Sequence, residues 1–141
     1  MDFNLESELF NIKYNLLRMS ISLLLSLPVA WNREITTRYV GLRTFPLVAI
    51  GTCAFILNGF TVVENYPNAK SRIVYGVITG MGFTGGGAII KANKKVVGTA
   101  NAASLWCTGA MGTAVALNQF EIAIVLTLIV FSIFVLKNII K

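Results

Sequence analysis

Apolar residues come in five long runs, separated by short polar segments that hold almost all of the charge. The first is LLRMSISLLLSLPVAW, residues 16–31, and the second is PLVAIGTCAFILNGFTVV, residues 46–63. The third, IVYGVITGMGFTGGGAII (73–90), is crowded with Gly; the fourth, ANAASLWCTGAMGTAVAL (100–117), is dominated by small residues. The fifth, FEIAIVLTLIVFSIFVL, has neither Gly nor charge from Ile122 to Leu136. A helix rises 1.5 Å per residue and a bilayer core needs about 20 apolar residues to cross. The runs therefore predict five membrane-spanning helices, over approximately 14–31, 46–63, 73–90, 100–117 and 120–136. The fold class expected is an all-α integral membrane protein. With no Pro/Ser-rich linker between the runs, residues 1–141 read as a single transmembrane domain.

Composition strengthens this picture. Of the 141 residues 55% are hydrophobic and 13% charged, against about 25% charged in soluble domains. Lipid is the solvent that such a surface suits. The net charge of +6 lies between the apolar runs and makes no basic stripe with interleaved aromatics, so no nucleic-acid partner is expected. Short loops that carry Lys and Arg stay cytoplasmic. Arg33, Arg38, Arg43, Lys91, Lys94, Lys95, Lys137 and Lys141 fall on one side; Lys13, Arg18, Lys70 and Arg72 fall on the other, mixed with Glu6, Glu8, Glu64 and Glu121. The expected layout is N-terminus out and C-terminus in, in a bacterial inner membrane. Acidic residues ahead of the first run and the lack of a small-residue cleavage site mark it as a retained helix. Arg18 is expected to snorkel to the interface and Pro28 to bend the last turn.

Candidate chemistry is sparse. The chain has no His, the commonest general base and metal ligand, and its carboxylates all lie at or beyond the ends of the apolar runs. Cys53 and Cys107 have no CxxC spacing and read as buried thiols. No catalytic, cofactor or metal residue is expected, and no cofactor. Coupled transporters and pumps usually place an ionisable group near the bilayer centre, and no carboxylate is there.

Small residues carry the stronger signal. Gly76 and Gly80 have GxxxG spacing, Gly82, Gly85 and Gly87 follow, and Gly109 and Gly112 answer them in the fourth run. Small residues let helix backbones approach in lipid, so these seven are expected to pack the third and fourth helices at the centre of the bundle. A sharper reading makes residues 85–87 a break in the helix that exposes backbone to a solute. Asn58, Asn101 and the span hydroxyls are assigned hydrogen bonds between helices or to their own backbone. The segment NREITTRYVGLRT, residues 32–44, reads as a topology signal that contacts anionic lipid, or as a docking patch for a protein with Arg33 or Arg43 paired to Glu34.

Four segments in order, NRE (32–34), GLRTFPLVAIGTCAF (41–55), SRIVYGVITGMGFTGGGAII (71–90) and VVGTANAASLWCTGAMG (96–112), make the chain resemble the MgtC/SapB family of bacterial inner-membrane proteins. The resemblance covers essentially the whole chain. It implies a non-enzymatic membrane protein tied to magnesium limitation and virulence, one that modulates a membrane partner such as an F-type ATP synthase. Family-motif positions are Arg33, Glu34, Arg43, Arg72, Asn101 and Trp106. Departures are clear. Asn32 stands where the family has an acidic residue, Phe45 where it has His, Ala69 near an expected Asp and Gly76 near an expected Gln. Many members also continue into a soluble C-terminal domain.

Two functions follow as expectations. One is a regulator that acts by helix-to-helix contact with a membrane-protein partner. The other is an oligomeric channel or carrier for an ion or small solute, in which copies of the chain share the path.

Overall fold

The computed structural model describes residues 5–37, 40–92 and 95–139; the charges read at Arg38, Lys94 and Lys141 lie outside the described residues. Five helices follow in order: α1 (Leu5–Thr36), α2 (Thr44–Val62), α3 (Pro67–Gly87), α4 (Thr99–Ala116) and α5 (Phe120–Ile139). Between α3 and α4 stands a short antiparallel hairpin of β1 (Ile90–Ala92) and β2 (Lys95–Val97), in which Ile90 faces Val97 and Lys91 faces Val96. The sequence KANKKVV reads as a polar loop, so this hairpin is a correction. The third helix accordingly ends at Gly87, short of the expected 90.

α1 is longer than its apolar run. Acidic Glu6 and Glu8 in its first turn favour the helix start, and Arg33 in its last turn favours the end. Pro28 sits inside and the helix continues through it to Thr36. Pro46 in the first turn of α2 and Pro67 at the start of α3 occupy positions where a missing N–H costs nothing. Two helices, α2 and α5, are long and apolar enough to cross a membrane on length and composition.

Two apolar clusters run along the bundle. One joins Ala49, Cys53 and Ile56 of α2 to Met111, Ala114 and Val115 of α4 and Ala123 of α5. The other joins Val29 and Ala30 of α1 to Phe45, Met81, Leu105, Val130 and Phe134. Both draw on the opening half of one helix and the closing half of the next, so neighbouring helices alternate in direction.

The distribution of side chains is inside-out. α1 buries Arg18, Ser22, Ser26 and Arg33, at roughly helical spacing along one face, and exposes Leu16, Leu17, Leu24 and Trp31. α4 buries Asn101, Ser104 and Thr108. In water that arrangement would place the apolar surface in solvent and the polar surface in the core; in lipid it is the favourable one. The hydroxyls bond locally, Ser104 and Thr108 to carbonyls three and four residues back, while Ser22 reaches the Ala49 carbonyl of α2 at 3.0 Å.

The centre is occupied by α4, which packs on α1, α2, α3 and α5. α3 stands at the rim and buries only Met81 and Gly85. This refines the expectation that both helices share the centre.

Candidate functional site

The seven glycines expected to pack helices divide into two sets. A Cβ on Gly112 would run into Thr52 Oγ1 and the Ala49 carbonyl of α2. On Gly109 it would stand 2.6 Å from Met81 Cγ, and on Gly85 3.1 Å from the Ala102 carbonyl oxygen. These three hold helices close. Gly76, Gly80, Gly82 and Gly87 have nothing within 4 Å of that position. Their expected role in packing within the chain is corrected: they lie on exposed faces of α3. The alternative reading, a helix break at residues 85–87, is not what the structure shows. α3 is continuous to Gly87 and ends in tight turns, with Ala88 N–H donating to the Gly85 carbonyl and Ile89 N–H to that of Gly86.

The open glycines line a groove. α2 and α3 diverge around a cavity of about 550 Å3, walled by Thr52, Phe55 and Asn58 on one side and Gly76, Gly80 and Thr84 on the other. It adjoins a second space of about 370 Å3 that reaches Arg43 past Leu47 and Gly51, with Thr52, Phe55, Met81 and Thr84 shared between the two. The hydroxyls of Thr52 and Thr84 donate to the carbonyls of Val48 and Gly80, so their hydrogens are already used within their own helices. The groove is therefore mostly apolar, floored by glycine backbone, with a few weak acceptors and one guanidinium at its end.

The family-motif residues are scattered around this frame. Arg43 is exposed at the groove end. Glu34 accepts a hydrogen bond from the Leu42 N–H at 2.9 Å and fills the space where Gly41 lacks a side chain. Neither Arg33 nor Arg43 pairs with it among the described residues, which corrects the ion pair of the docking-patch reading. Arg33 is 4% exposed, its guanidinium 4.3 Å from the centre of the Phe134 ring; it is no part of a surface patch. Arg72 is exposed in the second turn of α3, at the other end of the bundle. Trp106 is half-exposed on α4 and walls a smaller space of about 180 Å3 with Ile78, Met81 and Gly109. Asn101 is buried in the first turn of α4.

Arg18 is the residue that sequence reasoning missed. Expected to snorkel outward, it is 4% exposed and turned inward. Its guanidinium donates to the carbonyls of Val115 and Ala116, both at 2.8 Å, and to Asn118 Oδ1, with the Tyr14 ring 4.1 Å away. It caps the C-terminus of α4, where free carbonyls and the helix dipole favour a cation. Asn118, at φ 63°, takes the left-handed position that ends many helices. The signal was available: Arg18, Ser22 and Ser26 recur every four residues and so share one face.

An all-helical bundle with an apolar exterior and a polar seam defines the class, an integral membrane protein. The chain belongs to the MgtC family, whose family model matches residues 19–141. It is similar to the MgtC protein of Salmonella typhimurium, 35% identical over 115 residues, which covers 82% of this chain and 48% of that one. The protein slr0014 of Synechocystis is 36% identical over 110 residues, covering 78% of this chain and 46% of that one. YhiD of Escherichia coli K12, by name a candidate magnesium transporter, is 33% identical over 115 residues, covering 75% of this chain and 54% of that one. The chain thus spans about half the length of the curated relatives it matches. No solved structure matches.

Proposed function

We propose that this chain is a non-enzymatic, multi-pass protein of the bacterial inner membrane, and that it modulates a membrane-protein partner by receiving one of the partner's helices in the α2–α3 groove. The observation that carries the proposal is the pairing of Gly76 and Gly80, at GxxxG spacing, with nothing above them. Helix association in lipid depends on close backbone approach, and within the chain this stripe has no counterpart. Among the described residues no three of His, Cys, Asp or Glu gather as a metal-holding group, and the groove offers hydroxyls and an amide in place of an acid or base. Its end carries Arg43, placed to meet a partner's carboxylate or lipid phosphate. We place Arg33, Arg43, Lys91, Lys95 and Lys137 on the cytoplasmic side by their excess over Glu34. An F-type ATP synthase is a partner of the kind that the resemblance implies, and magnesium limitation or virulence adaptation the setting.

Co-purification in mild detergent tests this. A specific membrane protein recovered with the wild-type chain is lost with Gly80→Leu, which fills the groove, and retained with Leu128→Ala on the far side of the bundle. Recovery that Gly80→Leu leaves unchanged contradicts the proposal.

The second reading, a channel or carrier, uses the same groove. Thr52, Asn58 and Thr84 make part of its wall polar, and a second copy placed against it would enclose a path. Flux of magnesium, potassium or protons through reconstituted liposomes, abolished by Gly80→Leu, supports that reading; intact liposomes with no flux remove it.

A further inference from the structure

α1 carries two buried arginines, and only one of them is satisfied. Arg18 has three hydrogen-bond acceptors at the C-terminus of α4. Arg33 is equally buried, at 4% exposure, yet its Nε is enclosed without a hydrogen-bond partner, and its guanidinium lies against the Phe134 ring. A second polar atom, Asn101 Oδ1, is enclosed and unpartnered in a side chain 7% exposed.

These two stand at the same end of the bundle. Val29 and Leu105 sit in the same apolar cluster, and Arg33 lies four residues beyond Val29 while Asn101 lies four before Leu105. Residues four apart share a helix face. α1 and α4 run in opposite directions, so both polar groups stand one turn above the same cluster, at the same end of the bundle. That end is also the start of α4, where Gly98, at φ 92°, precedes the helix with no side-chain cap. First-turn amides lack partners and the dipole there is positive. A cation is the wrong charge for that position unless an anion lies between.

Among the described residues no side chain is placed as such an anion. Their acidic residues are Glu6, Glu8, Glu34, Glu64 and Glu121, and all but Glu34 belong to the opposite end. Glu34 is engaged with the Leu42 amide. Lys91 and Lys95 of the neighbouring hairpin and Lys137 of α5 add further positive charge. An uncompensated buried guanidinium is costly, and a single aromatic contact offsets part of that cost. Phe134 also walls a cavity of about 190 Å3 with Ala100, Ala103 and Ser104 of α4, so there is open space beside this end of the helix.

We propose that Arg33, Asn101 and the N-terminal turn of α4 form a binding site for a phosphate-type oxyanion, supplied either by a phospholipid headgroup or by free phosphate. Arg33 donates from a guanidinium suited to phosphate geometry. The α4 amides donate along the helix axis. Asn101 accepts from a hydroxyl of the ligand, or donates to its oxygen after rotation of the amide. The site is separate from the α2–α3 groove and does not depend on the role proposed for it.

Thermal unfolding of the purified chain in dodecyl maltoside, followed by Trp fluorescence, decides the matter. Sodium phosphate is compared with sodium chloride at equal ionic strength, and micelles doped with phosphatidylglycerol are compared with micelles doped with a phosphate-free galactolipid. A rise in Tm with phosphate over chloride identifies free oxyanion binding; a rise only with phosphatidylglycerol over galactolipid identifies the headgroup. Either rise is retained in Arg72→Gln, an exposed control at the opposite end of the bundle, and absent in Arg33→Gln. Asn101→Ala, which alters no charge, weakens the titration about tenfold, the loss of one good hydrogen bond. Should Arg33→Gln not fold, the Asn101→Ala titration carries the test. No rise in the wild-type chain from either source overturns the proposal, as does a rise unchanged in both Arg33→Gln and Asn101→Ala.

Discussion

Two stretches of glycine, similar in sequence, end in opposite environments. On α4, Gly109 and Gly112 are sealed against Met81, Thr52 and the Ala49 backbone; on α3, Gly76 and Gly80 face open space. The difference is set by what stands opposite. α4 is surrounded by the other four helices, so its small residues are consumed in letting them approach. α3 packs chiefly on α4 and more lightly on α2, burying only Met81 and Gly85, and the glycines on its exposed faces are left for something else. Glycine-rich helices in membranes thus serve two purposes that composition does not separate: closing a bundle and keeping a face open.

That contrast is testable by substitution. Gly112→Leu produces the largest effect, because the obstacle is α2 backbone that cannot rotate away; a loss at or above the upper end of overpacking costs, about 3 kcal/mol, is expected in reversible unfolding in detergent. Arg18→Ala follows at about 2–3 kcal/mol, since it strips charged hydrogen bonds from two buried carbonyls. It sharpens the comparison by showing that the α4 end is as tightly specified as its middle. Gly109→Ala costs about 1 kcal/mol, as the flexible Met81 side chain gives way. Gly80→Ala changes stability by no more than about 0.5 kcal/mol, with any shift in the favourable direction because Ala is the better helix former. A large loss at Gly80 breaks the comparison, for it would mean that α3 is packed where the structure leaves it open.

Much of the fold was legible. Five apolar runs became five helices, and Pro46 and the polar segments marked where helices begin and end. The runs alone left the helix termini short by several residues at Leu5 and Thr36, since amphipathic and charged turns continue a helix beyond its apolar stretch. The hairpin at residues 90–97 was illegible because its strands are three residues long and half-polar. The candidate site was legible only in kind. GxxxG spacing identifies residues able to sit at an interface, but whether that interface lies within the chain depends on how α2 and α3 diverge, a tertiary property. Arg18 and Arg33 illustrate the same limit. Both were read as topology charges, yet each lies on the buried face of α1, one capping α4 and the other against the Phe134 ring with its Nε unbonded.

Photo-crosslinking from the groove tests the central claim most directly. A benzophenone side chain in place of Phe55, which is 68% exposed and lines the cavity, is compared in native membranes with the same group at Leu128 of α5. The account predicts a discrete adduct with another membrane protein from position 55, absent from position 128 and lost when Gly80→Leu is added. Adducts with lipid alone from both positions, or a protein adduct indifferent to Gly80→Leu, would contradict it.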